Sequence, residues 1–314
     1  MLVDNSLKEK ALSIGFDLFG VSKAIIPEKA KNDFEEFIKN KYYGSMSWFP
    51  ERWEIRNNFS NLGLEPKSAI CLGVIYNSIN HKNILNNIKI SRYATGRDYH
   101  KVLKDMGKEF INFLKIKFPS SKFRQGVDTL PISEKVLSEN AGLGWIGKNT
   151  NLISKQIGSY FFLSVILTDH ELSVDNKLNF DCGSCSKCID ACPTNALFEP
   201  YKINASLCIS HTTIENRDDS IPENLANNLQ GWVYGCDICQ EVCPWNIRAE
   251  RKNIFSKISD FEPLEVFYSE EKLLGLTENE FNKITLESAI SRITYKQWKR
   301  NLSYFIKNEK EKNK

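Results

Sequence analysis

At 314 residues, 41% of them apolar and 26% charged, the chain is long enough for about two domains with substantial cores. Its 42 basic and 39 acidic side chains leave a formal charge of +3, so no global field demands nucleic acid or a membrane surface as partner, although a local basic patch stays open. Met1 to Gly20 holds neither a twin arginine nor an apolar signal core, and the apolar run Tyr160 to Leu167 is too short to span a bilayer. A soluble, cytoplasmic protein is expected.

Helical spacing of apolar residues predicts a helix over Leu7 to Ile14, and Phe16 to Val21 follows as a short strand. Glu28 to Lys41 is amphipathic, with Pro27 well placed near its start. Ser68 to Tyr76 is an apolar, β-rich run in which Cys71 reads as a small buried hydrophobe. A helix over His100 to Phe118 is stopped by Pro119, and Tyr160 to Thr168 is a second central strand. Strands interleaved with helices predict an α/β or α+β layer domain over residues 1–175. Gly142 to Lys148 is glycine-rich but is neither a dinucleotide fingerprint nor a phosphate-binding P-loop. It is either a tight turn between helix and strand or a loop that lets backbone approach a large flat cofactor. Residues 251–314 read as helical, with a capping box from Thr277 to Glu280 and a frayed polar end over Lys307 to Lys314.

Between them, residues 176–250 hold eight of the nine cysteines. The order is Cys182-x-x-Cys185-x-x-Cys188-x-x-x-Cys192-Pro193, then Cys208, then Cys236-x-x-Cys239-x-x-x-Cys243-Pro244. This is the bacterial two-cluster ferredoxin pattern, in which the fourth cysteine of a run ligates the other 4Fe–4S cluster. The crossover assigns Cys182, Cys185, Cys188 and Cys243 to one cluster, and Cys192, Cys208, Cys236 and Cys239 to the second. The competing readings are disulfides, which a reducing cytosol disfavours, and zinc, whose sites rarely show this spacing. Unlike a small ferredoxin, the chain carries a long insert between Cys208 and Cys236. Two clusters store and pass single electrons, so the chain either carries electrons only or holds another group that does the reduction.

Seven stretches come in a fixed order along the chain: Gly15 to Ala24, Ile90 to His100, Val127 to Lys135, Ala141 to Asn151, the cysteine segment, His211 to Glu215 and Tyr234 to Asn246. Together they resemble the epoxyqueuosine reductases, cobalamin- and iron–sulfur-dependent enzymes of tRNA queuosine biosynthesis. The resemblance implies a cobalamin-binding α/β (α+β) domain of nitroreductase-like type, joined to a ferredoxin-like double-cluster domain and a helical C-terminal segment. Reductive dehalogenases share that plan, but respiratory ones usually carry an export signal and match Val127 to Pro131 less well. The implied reaction reduces epoxyqueuosine to queuosine at the wobble position of tRNA, with electrons entering from an unidentified reductant protein. Cobalamin is expected base-off: none of His81, His100, His170 and His211 lies in the Asp-x-His-x-x-Gly pattern of histidine-ligated cobalamin enzymes.

The family's proton donor falls on Asp128, which implies a carboxyl pKa raised by a poorly solvated pocket. On its residues alone Asp128 reads first as a turn or cap aspartate ahead of Pro131, and only the motif match favours catalysis. Glu134 and Lys135 read as a surface pair. Polar groups at element ends suit cobalamin: Arg56, Tyr93, Asp98, Tyr99, Asp128 itself, Lys148, Asn149 and Asn151, with Ser210 and His211 between cluster and corrin. Each has loop stabilisation as its alternative. For the tRNA, Arg248, Arg251, Lys252, Lys296, Lys299 and Arg300 are the basic candidates, and a basic helix face is otherwise simply solvated. Too few residues follow Trp298 for the helical-repeat extension of some relatives. A monomer suits access by a bulky tRNA.

Overall fold

The computed structural model describes residues 5–84 and 87–312, so the last two residues of the expected frayed end lie outside it. The chain opens with α1 (Asn5–Ile14), β1 (Leu18–Lys23) and α2 (Glu28–Lys39), followed by β2 (Ser68–Ile75). Next come α3 (Tyr99–Lys117), β3 (Phe123–Gly126), α4 (Glu134–Asn140) and β4 (Phe161–Thr168). The strands form one antiparallel sheet in the order β1-β2-β4-β3, with Cys71 opposite Gly20 on one side and Val165 on the other. The first domain is therefore α+β.

All eight residues of β2 are buried, because both faces of the sheet are covered. Alternate side chains part company, as a period of two requires. Ile70, Leu72 and Val74 meet Leu7 and Ala11 of α1 and Leu103, Phe110 and Leu114 of α3. Ala69 and Cys71 face Val136 and Leu137 of α4. Cys71 has no exposure, and burial pushes its thiol up to about 12, so it is inert packing. The first strand starts two residues later than its apolar run suggests, since Gly15 turns the chain at φ +114° and Phe16 drops into the core. The Asp17 carboxylate there accepts the N–H of Ile75.

The cysteine segment is short turns, with one-turn helices at Lys187–Asp190 and Ile238–Glu241 that carry Cys188 and Cys239. Its insert carries α5 (Ile209–Ile214) and the strand Trp232–Tyr234, which pairs in parallel with Lys89–Ile90. Then come α6 (Pro244–Arg251), α7 (Glu278–Thr285) and α8 (Tyr295–Lys312), separated by 3-10 turns and a short helix at Glu270–Gly275 where the sequence reads as continuously helical. The capping box of Thr277 and Glu280 forms as its spacing requires. One core holds Ile88, Val233, Phe281 and Trp298, so all three sequence regions are packed together. Arg300 is buried and donates to the carbonyls of Thr212, Asn216 and Asp218; it knits α8 to the insert and is no phosphate contact. Among the described residues no helix is long and apolar enough to cross a membrane.

Candidate active site

Asp128 follows β3, in the loop that leads to α4. Its φ of +56° is left-handed, a conformation aspartate tolerates better than most side chains. The backbone N–H is held by Glu134, whose Oε1 accepts it at 2.8 Å. On the carboxylate, Oδ2 accepts the Tyr99 hydroxyl at 3.1 Å and lies 3.5 Å from Nε2 of His100. Asp98 stands behind His100: its Oδ1 takes the His100 N–H at 3.0 Å, capping α3, and contacts Nδ1 at 2.8 Å. The Tyr99 ring is fixed between His100, 4.0 Å away, and Phe162, 4.2 Å away, and Tyr93 meets it edge-on at 6.1 Å.

The Asp128 side chain is 62% exposed, while His100 behind it is only 21% exposed. Protein nonetheless surrounds Asp128 on most sides, which is the signature of an open cleft with polar walls. Arg56, Glu134, Lys135 and Arg292 all send their charge into it. Burial pulls the Asp128 carboxyl up, but His100 and the Tyr99 hydroxyl outweigh it, and the net direction is down. The expected raised pKa is therefore corrected: in this structure the group is an anion, because two donors face it. His100 moves the other way, to about 9: burial opposes its charge, but the Asp128 and Asp98 carboxylates prevail. Burial and then the Asp128 charge push Glu134 up to about 8.

Glu134 and Lys135 do not form the expected surface pair. Glu134 spends an oxygen on Asp128, while Lys135 donates to the Thr150 carbonyl at 3.0 Å. Of the residues expected at the cofactor, Tyr99 reaches Asp128 directly, and the charge of Arg56 is felt there. Arg56 lies over the Trp48 and Phe49 rings, and its Nε has no partner. Asp98 is set back, committed to His100. Lys148 and Asn149 turn to the cysteine loops instead: Lys148 donates to the Gly183 and Cys185 carbonyls, Asn149 to that of Cys239. Asn151 only closes a local turn on Asn149. The preceding glycines make a tight turn between helix and strand, for a Cβ on Gly142 or Gly144 would strike the carbonyl of Asn176 or Ile153.

His211 accepts the Ser45 N–H on Nε2, so the proton sits on Nδ1, which has no partner. The N–H groups of His211 and Ser210 point at the Cys208 sulfur and favour its thiolate against burial. Cys182, Cys185, Cys188 and Cys243 line one cavity together with Lys148, Asn149 and Trp245. The other four form a second group: Cys236 and Cys239 feel Cys208, which in turn feels Cys192. All nine cysteines are free, and among the described residues no three ligand side chains close on a single ion. Thiols spread round a cavity suit a cluster, whose size keeps its ligands apart, better than one zinc ion.

His100, Glu134 and Arg292 escaped the sequence reading as site residues. His100 has a local signal, two residues after a cap aspartate; Arg292 has none, since it reaches the cleft only through the fold.

Two family models match: the 4Fe-4S double cluster binding domain over residues 181–246, and Epoxyqueuosine reductase QueG, DUF1730, over residues 56–129. Iron–sulfur clusters thus belong to the protein. The chain is 35% identical to an epoxyqueuosine reductase of Prochlorococcus marinus (strain NATL2A) across 96% of both chains. It is 39% identical to one of Synechocystis, across 87% of this chain and 94% of the other. A crystal structure of selenomethionine-labelled epoxyqueuosine reductase superposes with a TM-score of 0.85 at 28% identity, covering 97% of this chain and 81% of that one. Another, with an epoxyqueuosine-modified tRNA-Tyr stem loop, gives 0.83 at 28% identity over 97% and 80%. A third, from Bacillus subtilis, has its catalytic aspartate loop swung out of the active site and gives 0.83 at 26% identity over 97% and 81%. With that identity sustained along nearly its whole length, the chain belongs to the epoxyqueuosine reductase family of oxidoreductases.

Proposed function

We propose that this protein reduces epoxyqueuosine to queuosine at the wobble position of tRNA, using cobalamin fed by two 4Fe–4S clusters, with Asp128 delivering the proton. The observation that carries this reading is Lys135, which feels both the Asp128 carboxylate and the Cys239 thiol, so the proposed proton source lies near the cysteine segment. Removing the epoxide oxygen takes two electrons and two protons and leaves an alkene and water. As the C–O bond breaks, the oxygen gathers negative charge and needs a proton at once. Asp128 would do this from a short loop, a reading supported by the Bacillus subtilis relative, whose structure has its catalytic aspartate loop swung out of the active site.

Cobalamin fits the donor set of the cleft. Arg56 Nε is a buried polar atom without a partner, and the Arg56 charge is felt at Asp128 and at its clamp Glu134. Arg56 and Tyr93 would hold the amide-rich edge of a base-off corrin, with His211 Nδ1–H as a further donor. When bound, the cofactor supplies a low-potential cobalt centre that carries electrons from the clusters to the substrate. Cys182, Cys185, Cys188 and Cys243 would ligate the first cluster, and Cys192, Cys208, Cys236 and Cys239 the second. The tRNA partner follows from the stem-loop complex of a 28% identical relative. Arg292, exposed and charged beside the cleft, and the exposed Lys296 and Lys299 would meet its phosphates. The protein would act as a cytoplasmic monomer with a separate reductant protein. The test is anaerobic: the protein loaded with clusters and cobalamin, given an epoxyqueuosine-bearing anticodon stem-loop, should yield queuosine by nucleoside mass spectrometry. Cobalamin bound and reduced with no product would move the reading to another substrate, and no cobalamin uptake would leave an electron carrier.

A further inference from the structure

A proton donor that rests as an anion must be loaded before it can act. Two groups face the Asp128 carboxylate, the Tyr99 hydroxyl and the His100 imidazole, and His100 is much the stronger acid of the two. Burial and the neighbouring carboxylates drive the Tyr99 hydroxyl far above its ordinary range, so it stays a hydrogen-bond donor. His100 differs. The Asp98 carboxylate can only accept, so the 2.8 Å contact places a proton on Nδ1. A proton on Nε2 is then the one that makes the ring an imidazolium, and it is the one free to leave. Nε2 makes no hydrogen bond, although it is buried, and stands 3.5 Å from Oδ2 of Asp128. The stack on Tyr99 holds the ring in that pose.

We propose that His100 is the acid that reloads Asp128, with Asp98 positioning its ring and holding its charge, an inference that rests on Asp128 being the proton donor. The proton on Nε2 passes to Oδ2, and the carboxylic acid so formed gives it to the epoxide oxygen as the C–O bond breaks. The electron pair for that cleavage comes through the clusters. A second proton follows the same path and releases the oxygen as water. Each time, Nε2 regains its proton from water entering the cleft on the open side of Asp128, whose side chain is 62% exposed. The groups facing the ring are Asp98 and Tyr99 on its own helix, and Asp128 with Glu134 behind it on the opposite loop. Lys101 and Arg292 add positive charge, felt at Asp98 and Asp128 respectively. The two carboxylates nearest the ring outweigh them, which agrees with His100 being held up to about 9.

The test is the pH dependence of single-turnover queuosine formation in loaded enzyme, with cobalamin absorbance recorded alongside. Wild type should keep its rate through neutral pH and lose it with one deprotonation near 9. His100→Gln should abolish that limb and lower the neutral-pH rate roughly 100-fold, with stem-loop affinity kept. Asp98→Asn retains an oxygen to cap the helix but not the charge, so it should move the limb to lower pH. This variant also carries the test if His100→Gln fails to fold. A limb still near 9 in either variant would overturn the relay, as would a changed cobalamin spectrum in His100→Gln, which would make the imidazole a cobalt ligand. Activity in wild type and none in Asp128→Asn would leave the underlying reading standing in either case. No queuosine from wild type would end that reading itself.

Discussion

Glu134 Oε1 accepts the backbone N–H of Asp128 at 2.8 Å, clamping a loop in which Asp128 holds a left-handed φ of +56°. The carboxylate's aim is thus set by a residue that does not touch the reacting atoms. Misplacing a catalytic group by about 1 Å can cost about 100-fold in rate. Glu134→Ala should therefore lower the queuosine-forming rate roughly 10- to 100-fold with cluster and cobalamin content unchanged. Glu134→Gln, which keeps an acceptor oxygen, should stay within about 5-fold of wild type. Rate comparison of the two variants checks this.

The same residue makes stability depend on pH. Glu134 titrates at about 8 in the folded protein against an ordinary 4.5, because burial and the Asp128 charge oppose its ionisation. Between those values the folded state binds more protons than the unfolded one, so this group's contribution to stability falls as pH rises. Glu134→Gln should gain in Tm relative to wild type as the pH is raised from about 5 to about 8, followed by thermal denaturation. A difference that stays flat would remove the buried-carboxyl explanation.

The two groups of thiols predict separable losses. Cys243→Ala should empty the cavity it shares with Cys182, Cys185 and Cys188, although it lies far along the chain beside Cys239. Cys208→Ala should cost the other cluster. Each variant should hold roughly half the wild-type iron and sulfide, since each group serves one cluster. Iron analysis and electron paramagnetic resonance of the singly loaded proteins distinguish this from assignment by simple sequence order.

Arg92 docks the cysteine segment onto the sheet domain. Its Nη1 donates to Glu250 at 2.6 Å and Asn77 at 3.0 Å, and its backbone N–H meets Asp237 at 2.8 Å. Asp237 has no exposure and follows Cys236 directly. Arg92→Ala would leave the half-buried Glu250 and the buried Asp237 without a neighbouring cation, a loss on the order of 1–2 kcal/mol. The urea midpoint of the loaded protein should fall accordingly, and cluster retention with it.

Much of this was legible in the residues. The cysteine spacing pointed to two clusters, and apolar runs located β2 and β4 and the helix between Asp98 and Pro119, because each is a local signal. Motif order drew attention to Asp128. What the sequence hid was partnership. Nothing local says that Arg300 is buried against three carbonyls while Lys296 and Lys299 beside it are exposed. Nor does spacing reveal that Lys148 and Asn149 serve the cysteine loops, or that Asp98 stands behind His100. The ionisation of Asp128 was misjudged for the same reason: its pKa follows from donors on another element.

The most direct measurement is queuosine formation by Asp128→Asn under anaerobic single-turnover conditions, with cobalamin occupancy and cobalt reduction followed in the same sample. Bound, reducible cobalamin with product formation lowered by roughly 100-fold or more would match a proton delivered from Oδ2. Unimpaired product formation would contradict it and return Asp128 to the role of a turn residue.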